Sequence, residues 1–266
     1  MRAAAVGFHC PECTQRGARD QRLVQVGLPG ATMPRATHFL IGVNVAIFVI
    51  GVLLDARPGA QGVTRQFALQ TYFAPPLVPA TGVAAGEWWR VITGGFLHAG
   101  LLHLGFNMVA LYSIGGVLER IIGWHRFVAI YGVSLVGGAL VAILTTIPQG
   151  LTVGASGAIF GLFGAFLFLQ LSRGQSALGG IGPVILINLV ITFAIPGISV
   201  GGHVGGLMFG SACGFLVIGA SRMQARDREV HRSRGLAVCA AIGTAAFAAA
   251  LLVAPIIAEN GALVSF

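Results

Sequence analysis

Seven apolar runs divide this chain of 266 residues, and each must be folded where water is absent. They lie at about Phe39–Leu54, Leu101–Leu118, Phe127–Ile147, Ala155–Leu171, Ile181–Ile195, Gly202–Ala220 and Leu236–Ile257. Hydrophobic residues make up 56% of the chain and charged residues 9%, against roughly 25% charged in a soluble domain. That excess implies a second apolar solvent, the bilayer. In hydrocarbon every backbone N–H and C=O must find its partner within the protein, which leaves helices and closed barrels. Several runs approach the ~20 residues of a helical crossing, while the fourth and fifth are short. The expected fold is therefore all-α, a polytopic helical membrane protein. The 40 glycines fit helices packed backbone to backbone.

The net charge is +8, and all 16 basic residues are arginine. A basic soluble protein would invite nucleic acid, but here the arginines cluster between the apolar runs, where they orient a membrane protein. With the N-terminus inside, only Arg57, Arg65 and Arg90 lie on the outer side, and the C-terminus is outside. The expected partners are the lipid bilayer and membrane-spanning protein substrates, with no nucleic acid; oligomeric state is left open. No cleavable signal peptide is expected, since the first apolar run begins near residue 38. All-arginine basicity with abundant Ala and Gly points to a GC-rich bacterial genome and hence to the bacterial plasma membrane.

In this topology spans 2, 4 and 6 all start at the outer side. Their first turns carry the polar residues His103 and Asn107, Ser156, and His203. Polar side chains at membrane depth are costly and face the bundle interior or a water cavity. A serine and a histidine on two helices at one depth are candidates for nucleophile and general base. Gly154 and Gly157 fence the serine, and Gly202, Gly206, Gly210 and Gly214 repeat every four residues along span 6. Such faces let two helix axes approach until short side chains touch. Acyl transfer also needs donors for a developing oxyanion. Asn107, His103 one helical turn before it, and the free N–H groups at the start of span 4 around Ser156 supply them. Phe160, four residues after Ser156, is placed to stack on His203, and His98 stands just before span 2 as a loop brace. No acidic residue lies within a span near His203, so a Ser–His dyad is expected rather than a triad.

Taken together, HAGLLHLGFN (98–107), GASGAIFG (154–161) and GGHVGGLMFG (201–210) resemble the rhomboid intramembrane serine proteases. EWWR (87–90) is similar to the Trp-Arg motif of that family's first outer loop, and Gly115, Glu119 and Gly123 to its pattern closing the second helix. The resemblance covers about residues 38–220. It implies a rhomboid-like six-helix bundle with span 7 added. It also implies Ser156 as nucleophile, His203 as base, and His103 and Asn107 as oxyanion stabilisers. Cleavage of membrane-spanning substrates near the outer face is implied too, with no cofactor for catalysis. Span 5 and the loop Pro196–Gly201 are expected to be the moving parts. Two rival functions remain: an inactive rhomboid-like membrane chaperone or quality-control factor, and a transporter.

Outside these motifs, Trp88, Trp89 and Arg90 read as interfacial anchors, and Glu119 and Arg120 as residues that cap and anchor the inner end of span 2. The four cysteines split into Cys213 and Cys239 inside apolar runs and two near the N-terminus, which does not read as a disulfide framework. Those two, Cys10 and Cys13, form a Cys-x-x-Cys knuckle, which offers two of the four ligands of a structural zinc. The expected domains are a cytoplasmic segment at 1–37, the catalytic membrane domain at 38–220, and an arginine-rich linker with the seventh helix at 221–266.

Overall fold

The computed structural model describes residues 2–3, 8–9, 34–55, 62–218 and 225–261. It divides into two units, 1–33 and 34–266. In the first, β1 (Arg2–Ala3) pairs antiparallel with β2 (Phe8–His9). Cys10 and Cys13, the candidate zinc knuckle, lie outside the described residues.

The second unit is helical. Its elements are α1 (Arg35–Asp55), α2 (Val63–Phe67), α3 (Arg90–Thr93), α4 (Leu101–Ile122), α5 (Trp124–Thr145), α6 (Ser156–Ser172), α7 (Gly182–Ala194), α8 (Val200–Ile218) and α9 (Ala225–Asn260). Each of the seven apolar runs coincides with one of the helices α1 and α4–α9. Five are long and apolar enough to cross a membrane, α9 through its stretch Ser233–Asn260; α6 and α7 are shorter. The protein is thus a multi-pass helical membrane protein. α4 is interrupted by a π-helical turn at Leu111–Gly115.

Burial ranks the helices. Within its most apolar stretch α5 is 61% buried, whereas α1 and α9 are 17% buried and leave most of their side chains to lipid. The centre is built from α5, α6 and α8, around Phe127, Ile130, Phe163, Leu162 and Val217. Small residues set their spacing. A Cβ on Gly206 would fall on the carbonyl oxygen of Gly157, and one on Gly210 would fall on the backbone of Gly161. On its other flank α8 meets α5, where a Cβ on Gly205 would stand 2.8 Å from the Gly137 carbonyl. With lipid outside, helices gain little by hiding apolar surface from one another, so contact this close is what holds them.

Three sequence readings are corrected here. Arg90 is 1% exposed, not an anchor in the headgroup layer. Its Nε donates to Glu87 at 2.7 Å, and an Nη donates to the carbonyls of Arg65 and Ala68, each at 2.8 Å. The guanidinium fork suits several fixed acceptors at once, so it pins α2 to α3. Trp88, by contrast, is exposed. Glu119 does not cap its own helix: its carboxylate is buried and accepts from the backbone N–H groups of Ala36 and Thr37 and from the Thr37 hydroxyl. It therefore satisfies the otherwise free donors that open α1. Cys213 of α8 and Cys239 of α9 are joined as a disulfide, their Cα atoms 5.6 Å apart. The two helices run antiparallel there, Gly235 lying against Leu216, so residues 26 apart in sequence face each other.

The segment between α1 and α4 positions the start of α6. Leu69 forms an isolated antiparallel bridge with Thr152, and the Gly154 N–H donates to the Gly94 carbonyl at 3.0 Å. The strand-like stretch that leads into α6 is therefore held from both ends of that segment.

Candidate active site

Ser156 is the first residue of α6, and the start of this helix has no side-chain cap. The first N–H groups of a helix have no intrahelical acceptor. They face a cavity of about 1450 Å³, lined by Ser156, His103, Asn107, Thr192 and His203 among others. The close contact of α6 and α8 brings the His203 Nε2 to 2.7 Å from the Ser156 Oγ. Phe160, one turn along α6, stacks on the imidazole with ring centroids 4.1 Å apart and planes 16° apart. The other ring nitrogen, Nδ1, lies 2.7 Å from the hydroxyl of Thr192 on α7. His203 is therefore held at both nitrogens and on one face.

The second side of the cavity comes from α4. Gly154 has φ +123°, a backbone setting open to glycine and strained for other residues. A Cβ there would stand 2.8 Å from both Cε1 and Nε2 of His103, and 3.5 Å from the Ser156 Oγ. The missing side chain is what lets the His103 ring approach the serine. The Nδ1 of His103 accepts from the Ala99 N–H at 3.4 Å; this leaves Nε2 as the protonated nitrogen, turned toward Gly154. Asn107 is buried and gives one amide hydrogen to the His103 carbonyl at 2.8 Å, which keeps the second for the cavity. His98 meets His103 edge to face at 5.1 Å. Burial, with His103 beside it, pushes its pKa down to about 4, so it stays neutral at ordinary pH.

A nucleophile bonded to a base, with donors clustered near the same point, is the arrangement that acyl transfer requires. A family model described as the Rhomboid domain matches residues 85–220, the stretch that holds every one of these side chains. The chain belongs to the rhomboid family. It is 34% identical over 196 residues to the rhomboid protease GluP of Bacillus subtilis (strain 168), covering 72% of this chain and 36% of that one. To RHOMBOID-like protein 5 of Arabidopsis thaliana it is 40% identical over 144 residues, 51% of this chain and 46% of that one. To the mitochondrial RHOMBOID-like protein 6 of the same plant it is 31% identical over 211 residues, 68% of each. The chain thus spans less than half the length of the first two of these rhomboid relatives.

Of the residues singled out in the sequence, the structure gathers Ser156, His203, Phe160, His103, Asn107 and Gly154 around this one rhomboid cavity, with His98 packed against His103. Gly157, Gly202 and Gly206 lie at the α6–α8 contact, where a Cβ on Gly157 would stand 3.0 Å from the Gly202 carbonyl. Thr192 belongs to no motif. The signal that finds it is position: it is a lone hydroxyl in the last turn of α7, a largely apolar helix whose end lies beside the cavity. Among the described residues, no group of His, Cys, Asp or Glu side chains could hold a metal ion.

Proposed function

We propose that the chain is an intramembrane serine endopeptidase that cleaves membrane-spanning segments of other proteins near the outer face through a Ser156–His203 dyad. The observation that carries this reading is the 2.7 Å approach of Nε2 to Oγ in a cavity at the N-terminal ends of α4, α6 and α8. His203 takes the hydroxyl proton as the Ser156 Oγ bonds to the scissile carbonyl carbon. The oxyanion accepts from the His103 Nε2–H, the free Asn107 amide hydrogen and the Ser156 N–H. His203 then passes the proton to the leaving nitrogen as the C–N bond breaks. Water, deprotonated by the same imidazole, releases the acyl group. The reaction needs no cofactor, and the arginine distribution supports an inside N-terminus and an outside C-terminus.

A fluorophosphonate probe tests the dyad directly. Detergent-purified wild type is expected to label, and Ser156→Ala and His203→Ala are expected to label no more than background. Labelling that survives Ser156→Ala would place the nucleophile elsewhere. Folded wild type that never labels would favour an inactive relative.

The substrate enters sideways between α4 and α7. Side chains of both helices line the cavity, among them Phe106 and Ser113 from α4 and Val184 and Ile191 from α7. α7 is the loosest of the helices around the cavity: its buried residues are Ile185 and Thr192, while Leu186, Ile187, Val190 and Phe193 are exposed. Cross-linking α7 to α4 through introduced cysteines should stop cleavage of a membrane-spanning substrate, and reduction should restore it. Full activity in the cross-linked protein would rule out this route.

A further inference from the structure

We propose that Thr192 is a positioning residue that selects the tautomer of His203 and so leaves its Nε2 free to act as the base. The inference rests on the dyad reading above and extends it to a third helix. Its basis is a count of protons. A threonine hydroxyl has one hydrogen to give. Thr192 gives it to the carbonyl of Asn188, one turn back along α7, at 2.7 Å. This is the usual bond of a threonine inside a helix. What Thr192 then presents to the His203 Nδ1, 2.7 Å away, is a lone pair. Two lone pairs at that distance repel, so Nδ1 carries the hydrogen and donates it. A neutral imidazole has only one N–H, so Nε2 is left with its lone pair turned toward the Ser156 Oγ at 2.7 Å.

The opposite tautomer fares worse on both sides. Nδ1 would have to accept from Thr192, which gives up the bond to Asn188. Nε2 would carry a hydrogen and turn a donor toward Ser156, where an acceptor is needed for attack. The placement of Thr192 supports the assignment. It is 2% exposed, while its neighbours Ile191 and Phe193 are 41% and 60% exposed. On a helix that leaves most of its side chains outside, this hydroxyl is turned in. It makes the hydrogen bond that links α7 to the dyad. An aspartate in this place would hold the ring in the same sense and add a charge; a neutral hydroxyl at membrane depth avoids the cost of burying one.

The test joins kinetics to a direct reading of the tautomer in full-length protein. With 15N-histidine labelling, His203 in wild type should show Nδ1 as the protonated nitrogen and Nε2 as the unprotonated one. Thr192→Val keeps the shape and removes the hydroxyl. It should mix the tautomers and lower kcat by about 10- to 100-fold, with KM within about twofold. Thr192→Ser restores the hydroxyl and should return kcat to within about threefold of wild type and the nitrogen pattern with it. A wild-type His203 protonated at Nε2 would overturn the assignment, and it needs no variant to be seen. So would Thr192→Val turning over as wild type does, or Thr192→Ser losing as much as Thr192→Val. Cleavage that survives Ser156→Ala and His203→Ala would instead sink the dyad reading itself. Cleavage lost in those two and kept in Thr192→Val sinks only the role of Thr192.

Discussion

Ser156→Ala and His203→Ala should each cut the cleavage rate by at least about 10⁴-fold, and the double substitution should cost no more than the worse of the two. The reason is that neither group works alone. A serine hydroxyl at neutral pH is a poor nucleophile until a base takes its proton, and an imidazole without the serine has nothing to deprotonate. Their 2.7 Å contact makes them one unit, and units of this kind are far from additive. Neither change touches the glycine contact between α6 and α8. Ser156 borders the cavity, so removing its Oγ opens no new space in the core. His203 sits between Phe160 and Thr192 at the cavity wall. Thermal unfolding of both variants should therefore stay close to wild type while turnover of a membrane-spanning substrate in liposomes vanishes. If the double variant loses the product of the two single losses, the residues act independently and the dyad is wrong. The same cycle reaches α7: Thr192→Val should have no further effect on a His203→Ala background, because there is no ring left to orient.

How much of this was legible in the sequence depends on what kind of contact each residue makes. The helices were legible because every apolar run must close its own backbone hydrogen bonds in lipid. Even the two short spans declared themselves by length. The meeting of Ser156 and His203 was legible because each stands beside glycines of a four-residue repeat at one membrane depth. Pattern and topology together leave little freedom there. Arg90, Glu119 and Thr192 were not legible, and for one shared reason. Each is decided by a partner far along the chain that no local pattern names. An arginine after two tryptophans reads as a headgroup anchor until the carbonyls of Arg65 and Ala68 are seen beneath it. A glutamate near the end of α4 reads as its cap until the N–H groups of Ala36 and Thr37 are found facing it. A threonine in an apolar helix reads as satisfied by its own backbone. Thr192 is so satisfied, yet its remaining lone pair faces a histidine on the next helix.

Gly206→Val should abolish cleavage and lower the unfolding temperature together, unlike the dyad substitutions, which separate the two. A Cβ at this position falls on the carbonyl oxygen of Gly157. That obstacle is backbone, which cannot rotate aside as the tip of a side chain does. Even one methyl group forces α6 and α8 apart, and valine adds two more carbons to the same space. Overpacking of this kind costs about 1–3 kcal/mol where neighbours can yield, and backbone yields least. The chemistry is affected by the same displacement. Gly157 follows Ser156 directly, and His203 lies one turn before Gly206 on the same helix. Whatever widens the Gly157–Gly206 contact therefore stretches the bond from Oγ to Nε2, and a base must be within hydrogen-bond reach of the proton it takes. Gly132→Ala on α5 is the matching control. A Cβ there meets nothing within 4 Å, so activity and unfolding temperature should both hold. Wild-type turnover in Gly206→Val would mean that α6 and α8 are not in backbone contact, and with it the account of how the serine meets the histidine would fail.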